Sequence, residues 1–145
     1  MLGHATRSLS GLPNVSTRVA DAVSTGLPAE SADVVVAVNL LHIVPDALAV
    51  LTEVRRLLRP GGLAVLVVGT GQGLSARKAL TSMVRFFRRW GPMREKGQQS
   101  LTQQTLKALV RQAGLDVVEG KLLTGNAMNA AFVRATKPTR GAQAT

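Results

Sequence analysis

The chain has 145 residues, 46% of them hydrophobic, and no cysteine. That is enough for one domain with a core, and it excludes disulfides and thiolate metal sites. No apolar run reaches the ~18 residues of a membrane span, and MLGHATRSLSGLP lacks the apolar stretch of a signal peptide, so a cytoplasmic location is the expectation. The net charge is +10. It reads either as a solvated surface or as a face toward nucleic acid, anionic lipid or an acidic substrate. Aromatics make up only 3% of the chain, so Leu, Val and Ala must fill the core.

In chain order, residues 4–12 suit a short helix, and Pro13-Asn14 a turn. Val15 to Ala20 alternates apolar and polar, as a short strand does. Asp33 to Val38 reads DVVVAV, a β-branched run fit for a parallel strand covered on both faces. Asp46 can cap a helix to about Leu58, with Leu48, Val50, Leu51, Val54, Leu57 and Leu58 at helical spacing. Pro60-Gly61-Gly62 ends it, and Leu63 to Val68 is a second buried strand. After the glycine-rich stretch Gly69–Gly73, residues 75–90 read as helix, which Gly91-Pro92 breaks. Ser100 and Gln103 fit a capping box, with Thr102 as the alternative cap. The helix that follows shows Leu106, Leu109, Val110 and Ala113 on one face and stops at Gly114. Leu115 to Val118 and Met128 to Ala135 read as the last strands, and residues 137–145 as a flexible polar tail. Strands alternating with helices imply an α/β fold with a mostly parallel sheet and helices on both faces.

The stretch from VADAVSTGLPAESADVVVAVNLLHIVPD to LTEVRRLLRPGG resembles a class I S-adenosylmethionine-dependent methyltransferase, as a type 11 methyltransferase-like domain. The later pattern, from Leu101-Thr102 through a helix to Ala113-Gly114-Leu115, resembles it too. The resemblance covers residues 1–136, the expected domain, with 137–145 as tail. It implies a Rossmann-like, doubly wound sheet and S-adenosylmethionine as methyl donor. Ligands of open α/β sheets sit beyond the C-terminal strand ends. There the family pattern implies that the Asp21 carboxylate accepts from the adenine amino group while the Ala22 N–H faces the ring edge. The competing reading of Asp21 is a turn cap. Asn39, Leu40 and Leu41 are expected at the methionine half of the cofactor. His42 reads either as a catalytic base or substrate-orienting group, or as a partly buried neighbour. Arg59-Pro60-Gly61-Gly62 reads as structural. No metal is implied.

The resemblance also implies an incomplete fold. The family's glycine-rich loop after its first strand, and the acidic residue ending its second, have no counterpart before Val15. The expectation is that the first two strands of the methyltransferase fold are missing, with Met1 either an internal methionine or the start of a truncated paralogue. Val67-Val68-Gly69-Thr70-Gly71-Gln72-Gly73 imitates the missing loop. The window where an acidic strand end should follow reads RFFRRWGPM, so these glycines are read as a decoy bordering the substrate side at Gly71.

Seven of the 18 Lys and Arg residues lie between Arg77 and Lys96, interleaved with Phe86, Phe87 and Trp90. These aromatics read as the lining of a substrate pocket, as an interfacial helix on anionic lipid, or as ordinary core contacts. Two functions stand side by side. One is methyl transfer to an unidentified small-molecule acceptor, or its truncated remnant. The other is a non-catalytic fragment associating through an exposed strand edge, as a homodimer, or through the basic segment. Nucleic-acid binding ranks last because no reading module is present.

Overall fold

A computed structural model describes residues 8–9, 11–70, 73, 101–125 and 129–139. Its elements are β1 (Ala32–Val38), α1 (Ala47–Leu57), β2 (Leu58–Thr70), α2 (Gln103–Gln112), β3 (Asp116–Leu123) and β4 (Asn129–Thr136). They build a four-stranded sheet in the order β1-β2-β4-β3. β1 and β2 run parallel, and β4 is antiparallel to both β2 and β3, so three of the four strands share a direction. The expected α/β class and incomplete sheet are present; the sheet expected to be mostly parallel is mixed among the described strands, with one parallel and two antiparallel pairings. The expected helix over 75–90 lies outside the described residues.

Both helices form where local chemistry starts and stops them. Asp46 caps α1 by accepting from the Ala49 N–H at 2.9 Å, and Thr102 rather than Ser100 caps α2 by accepting from the Thr105 N–H at 3.2 Å. Each satisfies one of the N–H groups that a first turn leaves unpaired. Gly114, at φ 76°, takes the left-handed turn that closes α2.

The two helices pack on one face of the sheet. Alternate β2 residues Ala64, Leu66 and Val68 and alternate β4 residues Ala131, Val133 and Ala135 are buried there beneath Val50, Leu51, Val54, Leu106 and Val110. The β4 alanines leave room for the larger helix side chains. Each fully buried Leu or Val contributes roughly 1.5–3 kcal/mol. The opposite face is open at β1, where Val34, Val36 and Val38 are 53%, 60% and 56% exposed. Expected burial on both faces of DVVVAV is therefore corrected: α1 covers only the Val35 and Ala37 side.

Two further expectations change. Val15 to Ala20 forms no strand. Alternation supplies a strand's faces but not its ladder, and no described strand lies beside this segment; Val19 is 77% exposed. The Arg59–Gly62 segment lies inside β2 instead of ending the helix, which already stops at Leu57. The register jumps from Ala32↔Leu58 to Val34↔Leu63, so these residues form a bulge. Gly61 is needed for its φ of 78°. Gly62 is needed for space, since a Cβ there would meet the Arg59 carbonyl oxygen at 2.9 Å and that of Asp33 at 3.1 Å. Lys137 closes the bulge. Its main chain exchanges hydrogen bonds with Gly61 and Gly62, and its ammonium reaches the Leu58 carbonyl at 2.8 Å and Glu30 at 3.2 Å.

A buried carboxylate ties the 21–31 segment to α1. Glu53 is 7% exposed. It accepts from the Thr25 N–H at 2.9 Å and the Thr25 hydroxyl at 2.6 Å, and Arg56 donates to it at 2.7 and 2.8 Å. The Arg56 guanidinium also donates to the Leu27 carbonyl at 2.7 Å. Hydrogen bonds from Arg56 first, and from Thr25 second, lower the Glu53 pKa from 4.5 to about 2 against the opposing effect of burial. The ionised form is thus favoured in the folded state, and its contribution to stability is complete above pH 4.5 and lost as pH falls through about 2. Glu53→Gln is expected to cost about 2 kcal/mol at neutral pH. In urea unfolding at stepped pH, that difference from wild type should shrink between pH 4.5 and about 2; a difference constant across this window would mean that ionisation of Glu53 does not stabilise the fold.

Candidate functional site

β1, β2 and β3 end on one side of the molecule, where β4 begins. That end collects Asn39, Leu40 and His42 after β1, Gly69 and Thr70 closing β2, and Asn129, which pairs with Thr70 in register. In open α/β sheets this is the end at which ligands sit.

The β1 exit is built from two anchors. Asn39 turns left-handed, at φ 53°. Its N–H donates to the Val67 carbonyl at 2.8 Å, and its side-chain Oδ1 accepts from the Gly69 N–H at 3.1 Å. Two residues on, Leu41 is fully buried in the core, which takes it away from the ligand contact expected of it. Between and after them, Leu40 is half-buried against that core, and its carbonyl accepts from the Ile43 N–H at 3.0 Å. His42 is half-buried, and its Nδ1 is buried with no hydrogen-bond partner among the described residues. A buried polar atom without a partner carries a desolvation cost, so this position has a hydrogen bond still to make.

Asp21 lies in a tight turn eleven residues before β1. Its Oδ1 accepts from the Val23 N–H at 3.0 Å, and its main-chain carbonyl accepts from the Ser24 N–H at 3.2 Å. One carboxylate oxygen therefore caps a turn, the competing reading of the sequence. The other has no partner among the described residues, and the side chain is exposed. Ala22 is half-buried against the core that also holds Leu40. No hydrogen bond among the described residues joins Asp21 to Asn39 or His42. Gly71, Phe86, Phe87 and Trp90, the expected substrate side, lie outside the described residues.

The residues present fit the adenine and methionine halves of S-adenosylmethionine in kind. They offer a carboxylate oxygen without a partner, half-buried apolar surface at Ala22 and Leu40, and an unsatisfied polar atom at His42. Gly69, inside β2, already donates its N–H to the Asn39 side chain.

Sequence reasoning missed three polar groups. Glu53 had a signal: it sits three residues after Val50 and four before Leu57, on the apolar face of its helix. Asn129, 3% exposed, accepts from the Gly125 N–H at 3.1 Å. Its position beside the strand ends depends on register, which no local pattern gives. The third is the Asn39 side chain, which acts within the sheet. A separate open depression of about 880 Å³ runs along α1 from Ala49 to Arg56, lined also by Val23, Glu30, Pro60 and Lys137. Its cations Arg56 and Lys137 are paired with Glu53 and Glu30.

Residues 1–66 match the methyltransferase domain family. The structure resembles that of the (4+2)-cyclase SpnF with a TM-score of 0.70 at 15% identity, over 94% of this chain and 61% of that one. It resembles a SAM-dependent methyltransferase from Methanosarcina mazei with a TM-score of 0.68 at 19% identity, over 94% and 77%. It also resembles the trans-methyltransferase CalH, solved in complex with SAH, with a TM-score of 0.69 at 24% identity, over 93% and 39%. A segment of 50 residues is 46% identical to a highly reducing polyketide synthase of Alternaria alternata, spanning 34% of this chain and 2% of the synthase. The fold is the one these SAM-dependent methyltransferases and the cyclase share, carried by the described residues as a partial sheet. That a cyclase shares it means the fold alone does not name the reaction.

Proposed function

We propose that this domain binds S-adenosylmethionine and serves methyl transfer to a small-molecule acceptor. The observation that carries the reading is the match of residues 1–66 to the methyltransferase domain family, a span that holds Asp21, Ala22, Asn39, Leu40 and His42. The cofactor supplies an electrophilic methyl group on a sulfonium. The chain's part is positioning, exclusion of water and acceptance of a proton. In this reading the free Asp21 oxygen accepts from the adenine amino group, the Ala22 N–H meets the ring edge, and Asn39 and Leu40 border the methionine half. His42 takes the acceptor's proton or orients the acceptor. Gly71, Phe86, Phe87 and Trp90 remain assigned to the substrate side. The likeness to polyketide synthases makes polyketide-type acceptors the first to screen.

Calorimetric titration of the chain with S-adenosylmethionine and its demethylated product tests this. Roughly micromolar affinity is expected. Asp21→Asn should keep the Val23 cap but present an amide where the adenine amino group donates, weakening binding roughly tenfold with stability unchanged. A folded sample that binds neither ligand would contradict the proposal.

A second reading rests on the exposed Val34, Val36 and Val38. At the edge of the described sheet, a seven-residue apolar strand without Lys or Pro is open to pairing. In it, the chain associates through β1 as a homodimer. Light scattering should then give twice the 15.2 kDa chain mass, and Val36→Lys should restore the monomer. A monodisperse wild-type monomer rules this reading out.

A further inference from the structure

The end of the β1–β2 ladder contains a substitution of one acceptor for another. In a parallel ladder, an N–H of one strand donates to a carbonyl of its neighbour, and the N–H two residues further along that neighbour donates back. Here the Asn39 N–H donates to the Val67 carbonyl. The next donor in the series is the Gly69 N–H, and its regular acceptor is the main-chain carbonyl of Asn39. That carbonyl has turned away, because Asn39 adopts φ 53°. The Gly69 N–H meets the Asn39 side-chain Oδ1 at 3.1 Å instead.

We infer that Asn39 is a positioning residue: its side chain stands in for its own main-chain carbonyl, so the ladder gains one more hydrogen bond while the chain has already left the sheet. Residue type and conformation agree. Asn tolerates the left-handed region because its short polar side chain bonds locally. Asp shares both properties, Gly shares only the conformation, and Ala shares neither. The consequence falls on the site. With Asn39 held to Gly69 and Leu41 buried in the core, the intervening Leu40 and the following His42 are fixed in direction at the strand ends. The Asn39 side chain, spent on Gly69, acts on a ligand only through these neighbours. This deepens the proposed function and rests on it for its effect on binding.

The test compares Asn39→Asp, Asn39→Gly and Asn39→Ala. Amide exchange by NMR should show the Gly69 N–H exchanging roughly tenfold faster in Asn39→Gly and Asn39→Ala than in wild type, with protection recovered in Asn39→Asp. The amide shifts of Leu40 to Ile43 should move in the Gly and Ala variants and return in the Asp variant. Affinity for S-adenosylhomocysteine should follow the same order. Unchanged Gly69 exchange in Asn39→Gly overturns the latch. Equal loss of affinity in Asn39→Asp and Asn39→Gly, with Gly69 protection kept in the Asp variant, overturns the positioning role and makes the side chain itself a ligand contact. If wild type binds no cofactor, the cofactor reading falls, while exchange and shifts still decide the latch.

Discussion

Parallel strands cannot be joined by a tight turn, so β1 and β2 can pair only if the chain between them crosses back over the sheet. Here α1 makes that crossing, and its apolar face covers one side of both strands as it does so. The pairing sets everything downstream. It brings the ends of β1 and β2 to one edge of the molecule and gives Asn39 its partner in Gly69. It also gives β4 a central strand to join from the other side. Remove the β1–β2 ladder and the residues at the strand ends have no common frame.

The opposite end of the same pair is held by charge and main chain. The bulge at Arg59–Gly62 would leave unpaired groups at the start of β2, and Lys137 closes it with main-chain and side-chain hydrogen bonds. Arg59 donates to the Glu30 carbonyl and pairs with Asp33 at 2.5 Å. That pair is exposed and contributes little to stability. The Glu53 network is different in kind, since its carboxylate is buried and four donors converge on it. It fixes the segment leading from Asp21 into β1, so a polar group on the core side of α1 carries structure from the core to the candidate site.

Much of the fold was legible locally. The β-branched run of β1, the Asp46 and Thr102 caps and the Gly114 stop each rest on neighbours in sequence, and the structure places elements where they point. What escaped was non-local. Val15 to Ala20 alternates like a strand but has no described strand to pair with, and alternation cannot reveal that. The insertion of β4 between β2 and β3 is a matter of sheet order. The RPGG segment marks a turn by composition, yet the ladder absorbs it as a bulge. At the site, Asp21 proved to be a turn cap with one oxygen to spare. The Asn39 latch carried no stronger signal than an Asn at a strand end.

In the proposed reading the ligand enters at the C-terminal strand ends, and the depression along α1 is uninvolved. Backbone NMR of the chain titrated with S-adenosylhomocysteine tests this most directly. Shifts concentrated at Asp21, Ala22, Leu40 and His42, with Glu30, Arg55 and Lys137 unmoved, are the predicted result. Shifts confined to Glu30, Arg55 and Lys137 would contradict it and move the binding site to the depression along α1.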